Sequence, residues 1–475
     1  MDILQVRGNQ IVDSEGTPVR LRGTCVGGWM NMENFINGYP GAEAGIRTAM
    51  AEELGPAKAC FFFERLLDHF FSEDDIAFLA DCGVNCIRLP LNYRHFEDDA
   101  APRAYREAGF ARLDQVLGWC GRYGVYAILD LHAVPGAQNP DWHCDNACGE
   151  ALFWQHPHFQ ARFYDLWEEI ASRYRRNPAV AGYNVMNEPV IGWPHGRILA
   201  PYRTDWELLN RVYREVVRAI RIVDPQHIIF LEGDFFSQRF AGLEAPFAEN
   251  LVYSSHNYTA AGFGPGPYPG KIQGQYWDRA YQRELFGQQE GTIYAQEHNV
   301  PLWVGEFGSV YNGSEEERAG RLQALDDEIA VFEEAAVHWT TWTYKDVGVM
   351  GWVTVDPESE YMEVIRPVLE AKLQLATDLW GRWLPPTPAR STVQQLAGIV
   401  ARALGKETSP EAVFSVLDAA ILPDRVGAML QPTYARCFRG MSEADLERVL
   451  ESFAFRRCRV DQGVGKVIGK YLKGC

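Results

Sequence analysis

The chain has 475 residues, 47% of them hydrophobic, 23% charged and 13% aromatic, with a formal net charge of −18. That length accommodates one large domain with decoration, or two or three smaller ones. The negative surface repels a polyanion, so nucleic acid is excluded as a partner, whereas neutral or cationic ligands remain compatible.

The first residues, from Met1 to Arg7, contain neither a basic segment nor an apolar run, so no signal peptide is read and a cytoplasmic protein is expected. No stretch reaches the roughly 20 apolar residues of a membrane span. The ten cysteines (25, 60, 82, 86, 120, 144, 148, 437, 458 and 475) are scattered, which fits free thiols in a reducing compartment. Fourteen Trp and 21 Tyr suit either a large aromatic core or a protein that stacks flat apolar faces of a ligand.

A hairpin is expected over residues 5–12. Short apolar runs then alternate with amphipathic segments up to about residue 380. The runs at 19–23, 85–91, 126–131, 182–186, 227–231, 251–255, 301–305 and 339–343 read as eight strands. Between them, Ser72 opens a capped helix that Gly83 stops. Residues 205–223 place Leu209, Val212, Val216, Val217 and Ile220 on one helical face before Asp224-Pro225. Strands that alternate with helices form a parallel sheet, and eight such units close into a (β/α)8 TIM barrel; a doubly wound open sheet is the alternative.

Two regions exceed a minimal barrel. Residues 24–71 are expected as a long first βα loop that forms a lid or wall. After the Pro-rich run Leu384-Pro385-Pro386, residues 391–475 look helical. The expected organisation is therefore a barrel over 1–385 and a helical C-terminal extension over 386–475, packed on the barrel because its apolar content makes a marginal core alone.

In a parallel barrel the strand C-termini and the loops after them form the active face. There the sequence places Arg88, Asp130, His132, Asn187, Glu188, Glu232, Asp234, His256, Asn257, Tyr258, Glu306, Trp342, Lys345 and Asp346. Glu188 and Glu306 end the fourth and seventh strands, which face each other across the mouth. Two carboxyl groups about 5 Å apart suit double displacement on a glycoside, with Glu306 as nucleophile and Glu188 as acid and then base. A neighbouring anion keeps the proton on the acid, and forming the ester removes that anion when a base is needed. Glu232 and Asp234 are read as salt-bridge or capping groups.

The segments Ile87-Arg88-Leu89-Pro90, Asp130-Leu131-His132, Asn187-Glu188-Pro189, His256-Asn257-Tyr258, Gly305-Glu306-Phe307-Gly308 and Trp342 resemble glycoside hydrolase family 5 over roughly residues 5–380. The resemblance implies a retaining β-glycosidase without cofactor or metal. Under it, Arg88 supports the nucleophile and His132 lies near the donor sugar. Asn187 binds the 2-hydroxyl, Glu188 is the acid/base, His256 and Tyr258 orient and polarise the nucleophile Glu306, and Trp342 is a platform for the sugar. The implied substrate is a β-linked, gluco-configured glycoside or oligosaccharide; glycosylceramide- or mannose-directed action and a silent carbohydrate-binding barrel are alternatives.

Weaker candidates complete the set. Trp29 and Asn31, within a first-loop segment similar to some family members, are either substrate contacts or wall. Lys345 and Asp346 either bind sugar hydroxyls or pair with each other. His143, Cys144 and Cys148 lack the second ligand pair of a known zinc type, so a plain loop is expected there. Oligomeric state has no sequence signal.

Overall fold

The computed structural model describes residues 1–191, 199–378, 387–405 and 407–472. Eight parallel strands close into a barrel: β1 (Arg22–Cys25), β2 (Cys86–Asn92), β3 (Tyr126–Ala133), β4 (Val180–Asn184), β5 (Ile228–Glu232), β6 (Leu251–Asn257), β7 (Leu302–Phe307) and β8 (His338–Thr341). Closure is made by β8 on β1, with Trp339 opposite Arg22 and Thr341 opposite Thr24. Each expected strand is present, shifted by up to three residues at its ends.

The barrel interior is layered. At the N-terminal end, Cys86, Ile128, Phe230, Val252 and Trp303 point inward and pack with Leu4, Ile11 and Leu21. The hairpin Gln5–Arg7 with Gln10–Val12 thereby plugs the floor of the barrel. Two residues further along four of these strands, the inward positions turn polar: Arg88, Asp130, Glu232 and Ser254 are all fully buried. The period of two along a strand thus separates an apolar floor from a charged ceiling.

The capped helix is observed at Glu73–Asp81, where Ser72 and Asp75 form a reciprocal capping box. The helix expected after Asp205 runs Trp206–Val223, with the Asp205 side chain accepting the Leu208 N–H.

The first βα connection differs from the expected loop. It holds three helices, Asn34–Asn37, Glu43–Leu54 and Pro56–Phe70. The Gly- and Asn-rich start hid a helical period further on, where Ala59, Phe62, Phe63, Leu66, Leu67 and Phe70 are buried and Pro56 sits at the helix start.

The C-terminal region braces this insert. Lys372 Nζ donates to the carbonyls of Asn34 (2.8 Å) and Tyr39 (2.9 Å). Gln431 Nε2 donates to those of Pro40 (3.0 Å) and Ala42 (2.9 Å), and Tyr361 Oη to that of Asn37 (2.6 Å). One strand here was not anticipated: Cys458–Val460 pairs antiparallel with Val353–Val355, which pairs parallel with Lys345–Asp346. The Leu384-Pro385-Pro386 run and Cys475 lie outside the described residues. Among the described residues, nine cysteines are free, and no helix is long and apolar enough to cross a membrane.

Candidate active site

Glu306 reaches the cleft because β7 is bulged. Its ladder with β6 pairs Val304 with Ser255 but Glu306 with His256, so one extra residue, Gly305, is accommodated. Trp303 packs inside the barrel and Val304 outside it. Strict alternation would then turn Glu306 outward, and the bulge turns it in. Only glycine fits at the bulge, since a Cβ on Gly305 would meet Ser254 Oγ at 2.8 Å and His256 Nε2 at 3.1 Å. The freed carbonyl of Gly305 accepts from Thr340 Oγ1 (2.6 Å) and Cys25 Sγ (3.3 Å).

Two donors hold the Glu306 carboxylate. Arg88 Nη1 donates to Oε1, and Tyr258 Oη donates to Oε2 at 2.9 Å. Burial alone would raise the Glu306 carboxyl, but His256, Arg88 and His132 overcome it and hold the group down at about 2. Glu306 is therefore an anion across the working range of pH.

Glu188 follows β4 by four residues and has φ 43°, the left-handed region that a non-glycine residue adopts at a cost of about 1–2 kcal/mol. Its backbone is clamped on both sides. The N–H donates to Glu232 Oε2 (2.8 Å), and the carbonyl accepts from Asn139 Nδ2 (3.0 Å). The carboxylate meets His256 Nδ1 at 2.7 Å through Oε1 and His143 Nε2 at 3.5 Å through Oε2. A carboxylate oxygen of Glu188 lies within 4.8 Å of one from Glu306.

Arg88 is the hub beneath them. Besides Glu306 it touches Asp130 (3.0 Å), Glu232 (3.3 Å), Asn184 (3.1 Å) and Asn187 (2.6 Å). Burial alone would lower its guanidinium; Asp130, Glu306 and Glu232 reverse that, so the charge is secure. His132 donates from Nδ1 to Asp130 at 2.8 Å and stacks on Trp342, with ring centroids 5.5 Å apart. Burial alone would hold His132 down, yet Asp130 and Glu33 push it up to about 10. Trp342 is 3% exposed, comparable with Glu306 at 4% and Glu188 at 8%: it lines a narrow cleft.

The structure therefore gathers Glu188, Glu306, Arg88, His132, Asn187, His256, Tyr258 and Trp342 into one cleft. One contact differs from the expectation: the hydrogen bond of His256 goes to Glu188, while Glu306 Oε2 is 3.7 Å away. Glu232 and Asp234 are structural groups as read. Asp234 accepts from Tyr202 Oη (2.6 Å) and the Ile191 N–H (3.2 Å).

Of the four weaker candidates, Trp29 and Asn31 fall on the wall side of their two readings, and Lys345 and Asp346 fit neither of theirs. Trp29 is 1% exposed and donates to the Leu67 carbonyl at 3.1 Å, so it is wall. Asn31 is buried, donating to the His143 carbonyl at 3.0 Å. Lys345 neither faces sugar nor pairs with Asp346. It is fully buried and binds Asp75 (2.6 Å) and the carbonyls of Phe70 (2.7 Å) and Phe453 (2.9 Å). Asp346 instead accepts the backbone N–H groups of Gly348, Val349, Met350 and Gly351. These residues neighbour the motif in sequence, but the chain turns away from the cleft after Trp342.

Sequence reasoning missed other neighbours of the cleft. Glu33 is buried, with Oε1 3.3 Å from His132 Nε2. His143 stands beside Glu188, and its loop is held through Asn139. Phe236 packs on His143, with centroids 6.4 Å apart. It lies within three consecutive non-glycine residues, Phe235, Phe236 and Ser237, at φ 53–61°. That turn is tied down by Ser237 Oγ to the Ser254 carbonyl (2.8 Å) and Gln238 Nε2 to the His256 carbonyl (2.6 Å). Two signals were available: the segment around Trp29, which pointed to the right loop but to other residues, and His143, which was weighed only with Cys144 and Cys148 and read as plain loop.

Comparison with known proteins gives the family. The family model described as Cellulase (glycosyl hydrolase family 5) matches residues 62–348. A protein named Beta-xylosidase from Phanerodontia chrysosporium is 38% identical over 98% of each chain. Endoglucanase C from Acetivibrio thermocellus is 24% identical over 60% of this chain and 87% of its own. A crystal structure of a glycoside hydrolase superposes with a TM-score of 0.52 at 20% identity, covering 70% of this chain and 90% of the other, which is a likeness of fold.

Proposed function

Since the chain belongs to glycosyl hydrolase family 5 and is a retaining β-glycoside hydrolase, we propose that Glu306 is its nucleophile, Glu188 its acid/base, and a short β-linked glycoside its substrate. The observation that carries the assignment is the pair itself. The two carboxylates approach within 4.8 Å, one of them held ionised by His256, Arg88 and His132. Oxygens this close suit a covalent intermediate and fall short of the roughly 6.5–9.5 Å gap that an intervening water requires in inversion.

In the first step a Glu306 oxygen bonds to the anomeric carbon while the bond to the leaving oxygen breaks. The leaving oxygen takes that electron pair and the proton of Glu188. In the second step water attacks the same carbon, its proton passes to Glu188, and Glu306 leaves as the carboxylate. His256, bonded to Glu188, orients the acid/base. Tyr258 loses its acceptor when the ester forms and regains it on release. Asn187, held through its Oδ1 by Arg88, offers Nδ2 to the 2-hydroxyl, a contact that strengthens as positive charge develops on the sugar.

For the glycone, the equatorial 2-, 3- and 4-hydroxyls that glucose and xylose share reconcile the cellulase family model with a relative named for xylosides. The low exposure of both carboxylates supports a short substrate over a polymer lying along an open groove.

The test is a panel of aryl β-glycosides with wild type, Glu188→Ala and Glu306→Ala. Hydrolysis with retained configuration, loss in both variants, and azide rescue giving a β-azide from Glu188→Ala and an α-azide from Glu306→Ala support the reading. Full activity in either variant, or an inert wild type, overturns it.

A further inference from the structure

Three metal-ligating side chains outside the proposed double displacement converge on one side of the cleft. Glu33 comes from the first βα insert, His132 from β3, and His143 from the loop after β3. All three are buried, and one ligand atom from each lies within 4.8 Å of the other two. We propose that Glu33, His132 and His143 bind a borderline divalent transition-metal ion such as Zn2+, and that an ion held there shuts off hydrolysis by occupying the sugar-binding side of the cleft.

The donor set is two imidazoles and one carboxylate, which suits zinc and its neighbours and not Mg2+ or Ca2+, which require oxygen cages. Zinc bonds of about 2.0–2.2 Å in a tetrahedron separate neighbouring ligand atoms by roughly 3.4 Å. Glu33 Oε1 and His132 Nε2 already stand 3.3 Å apart. One supporting contact also matches. A metal-bound histidine characteristically donates its other ring N–H to a carboxylate, which fixes the ring. His132 does this, donating from Nδ1 to Asp130 at 2.8 Å and leaving Nε2 toward Glu33. At His143, Asn139 Nδ2 donates to Nε2 at 3.1 Å, a hydrogen bond that an ion on this nitrogen displaces, while Trp142 and Phe236 pack on the ring.

The position explains the consequence. His143 Nε2 is 3.5 Å from Glu188 Oε2, and the His132 ring stacks on Trp342, so the ion and a sugar ring compete for one space. Binding exchanges the metal for any proton on the ligand nitrogens, released to solvent. Cys144, the sequence neighbour that invited a zinc reading, takes no part: its thiol is engaged by Asn139 and Asp141.

Two experiments decide the matter. In a non-chelating buffer, Zn2+ should inhibit wild type reversibly, with KM rising and kcat unchanged, and EDTA should restore the rate. Mg2+ and Ca2+ should have no effect. Glu33→Gln and His143→Asn, each referred to its own metal-free rate, should need about tenfold more Zn2+ or higher for half-inhibition. Equal sensitivity in both variants overturns the proposal. The second readout needs no activity and so stands even if the hydrolase assignment fails. Co2+ added to Glu306→Gln protein should give visible ligand-field bands, lost in the Glu306→Gln/His143→Asn and Glu306→Gln/Glu33→Gln doubles. Bands that persist in both doubles, or that Glu188→Gln alone removes, place the ion elsewhere and overturn the site.

Discussion

Arg88 and Lys345 are both fully buried cations near the C-terminal ends of barrel strands, yet they serve different ends. Arg88 sits on the ceiling of the barrel and shares its charge with Asp130, Glu232 and Glu306, the last of which opens onto the cleft. Lys345 sits behind the cleft wall and is consumed by Asp75 and two backbone carbonyls that join the first insert to the C-terminal region. Burial and charge are therefore the same in both. What differs is whether a partner faces substrate. A buried cation makes a site only when one of its carboxylates is left reachable; otherwise it is a rivet.

The contrast can be broken at either end. Glu306→Gln should keep the fold and lower kcat/KM by about 10^4-fold or more, because the group lost is the proposed nucleophile; steady-state rates and a melting curve check both halves. Lys345→Met should do the reverse. It strands Asp75 in the interior and costs about 3–5 kcal/mol of stability, read as a lower denaturation midpoint, while kcat per folded molecule stays near that of wild type.

Finer changes sharpen it. Tyr258→Phe removes one hydrogen bond to a carboxylate, a loss of about 1.5–3 kcal/mol or roughly ten- to a hundredfold in kcat/KM. It should also move the acid limb of the pH profile upward. Glu306 is active as the anion, so activity falls as pH drops through its depressed value of about 2, and removing a donor to the anion raises that value. Trp29→Phe is the mildest change. Losing its bond to the Leu67 carbonyl should cost about 1–2 kcal/mol of stability and leave KM unchanged.

Much of this was readable in the chain before folding. The eight strands announced themselves as apolar runs, because a strand covered on both faces must be apolar whatever its neighbours. The residues just past them formed the site, since a parallel barrel puts all those ends on one face. That logic found Glu188, Glu306, Arg88, His132 and Tyr258. It failed where a side chain's direction depends on what crosses it. Asn31, Trp29 and Lys345 stood in the right segments and turned into walls, because partners far along the chain claimed them: His143 for Asn31, Leu67 for Trp29, and Phe453 for Lys345; Asp346 was claimed by the backbone N–H groups of its own turn.

What the amino-acid order determined by itself was the barrel and its ring of functional groups, through local periodicity and the geometry that periodicity imposes. What only the tertiary structure decided was direction. The bulge at Gly305 turns Glu306 inward, the left-handed turn at Glu188 is held by Glu232 and Asn139, and the insert that brings Glu33 to His132 is braced by Lys372, Tyr361 and Gln431. Each of these depends on hydrogen bonds between groups tens to hundreds of residues apart, and no local pattern encodes them.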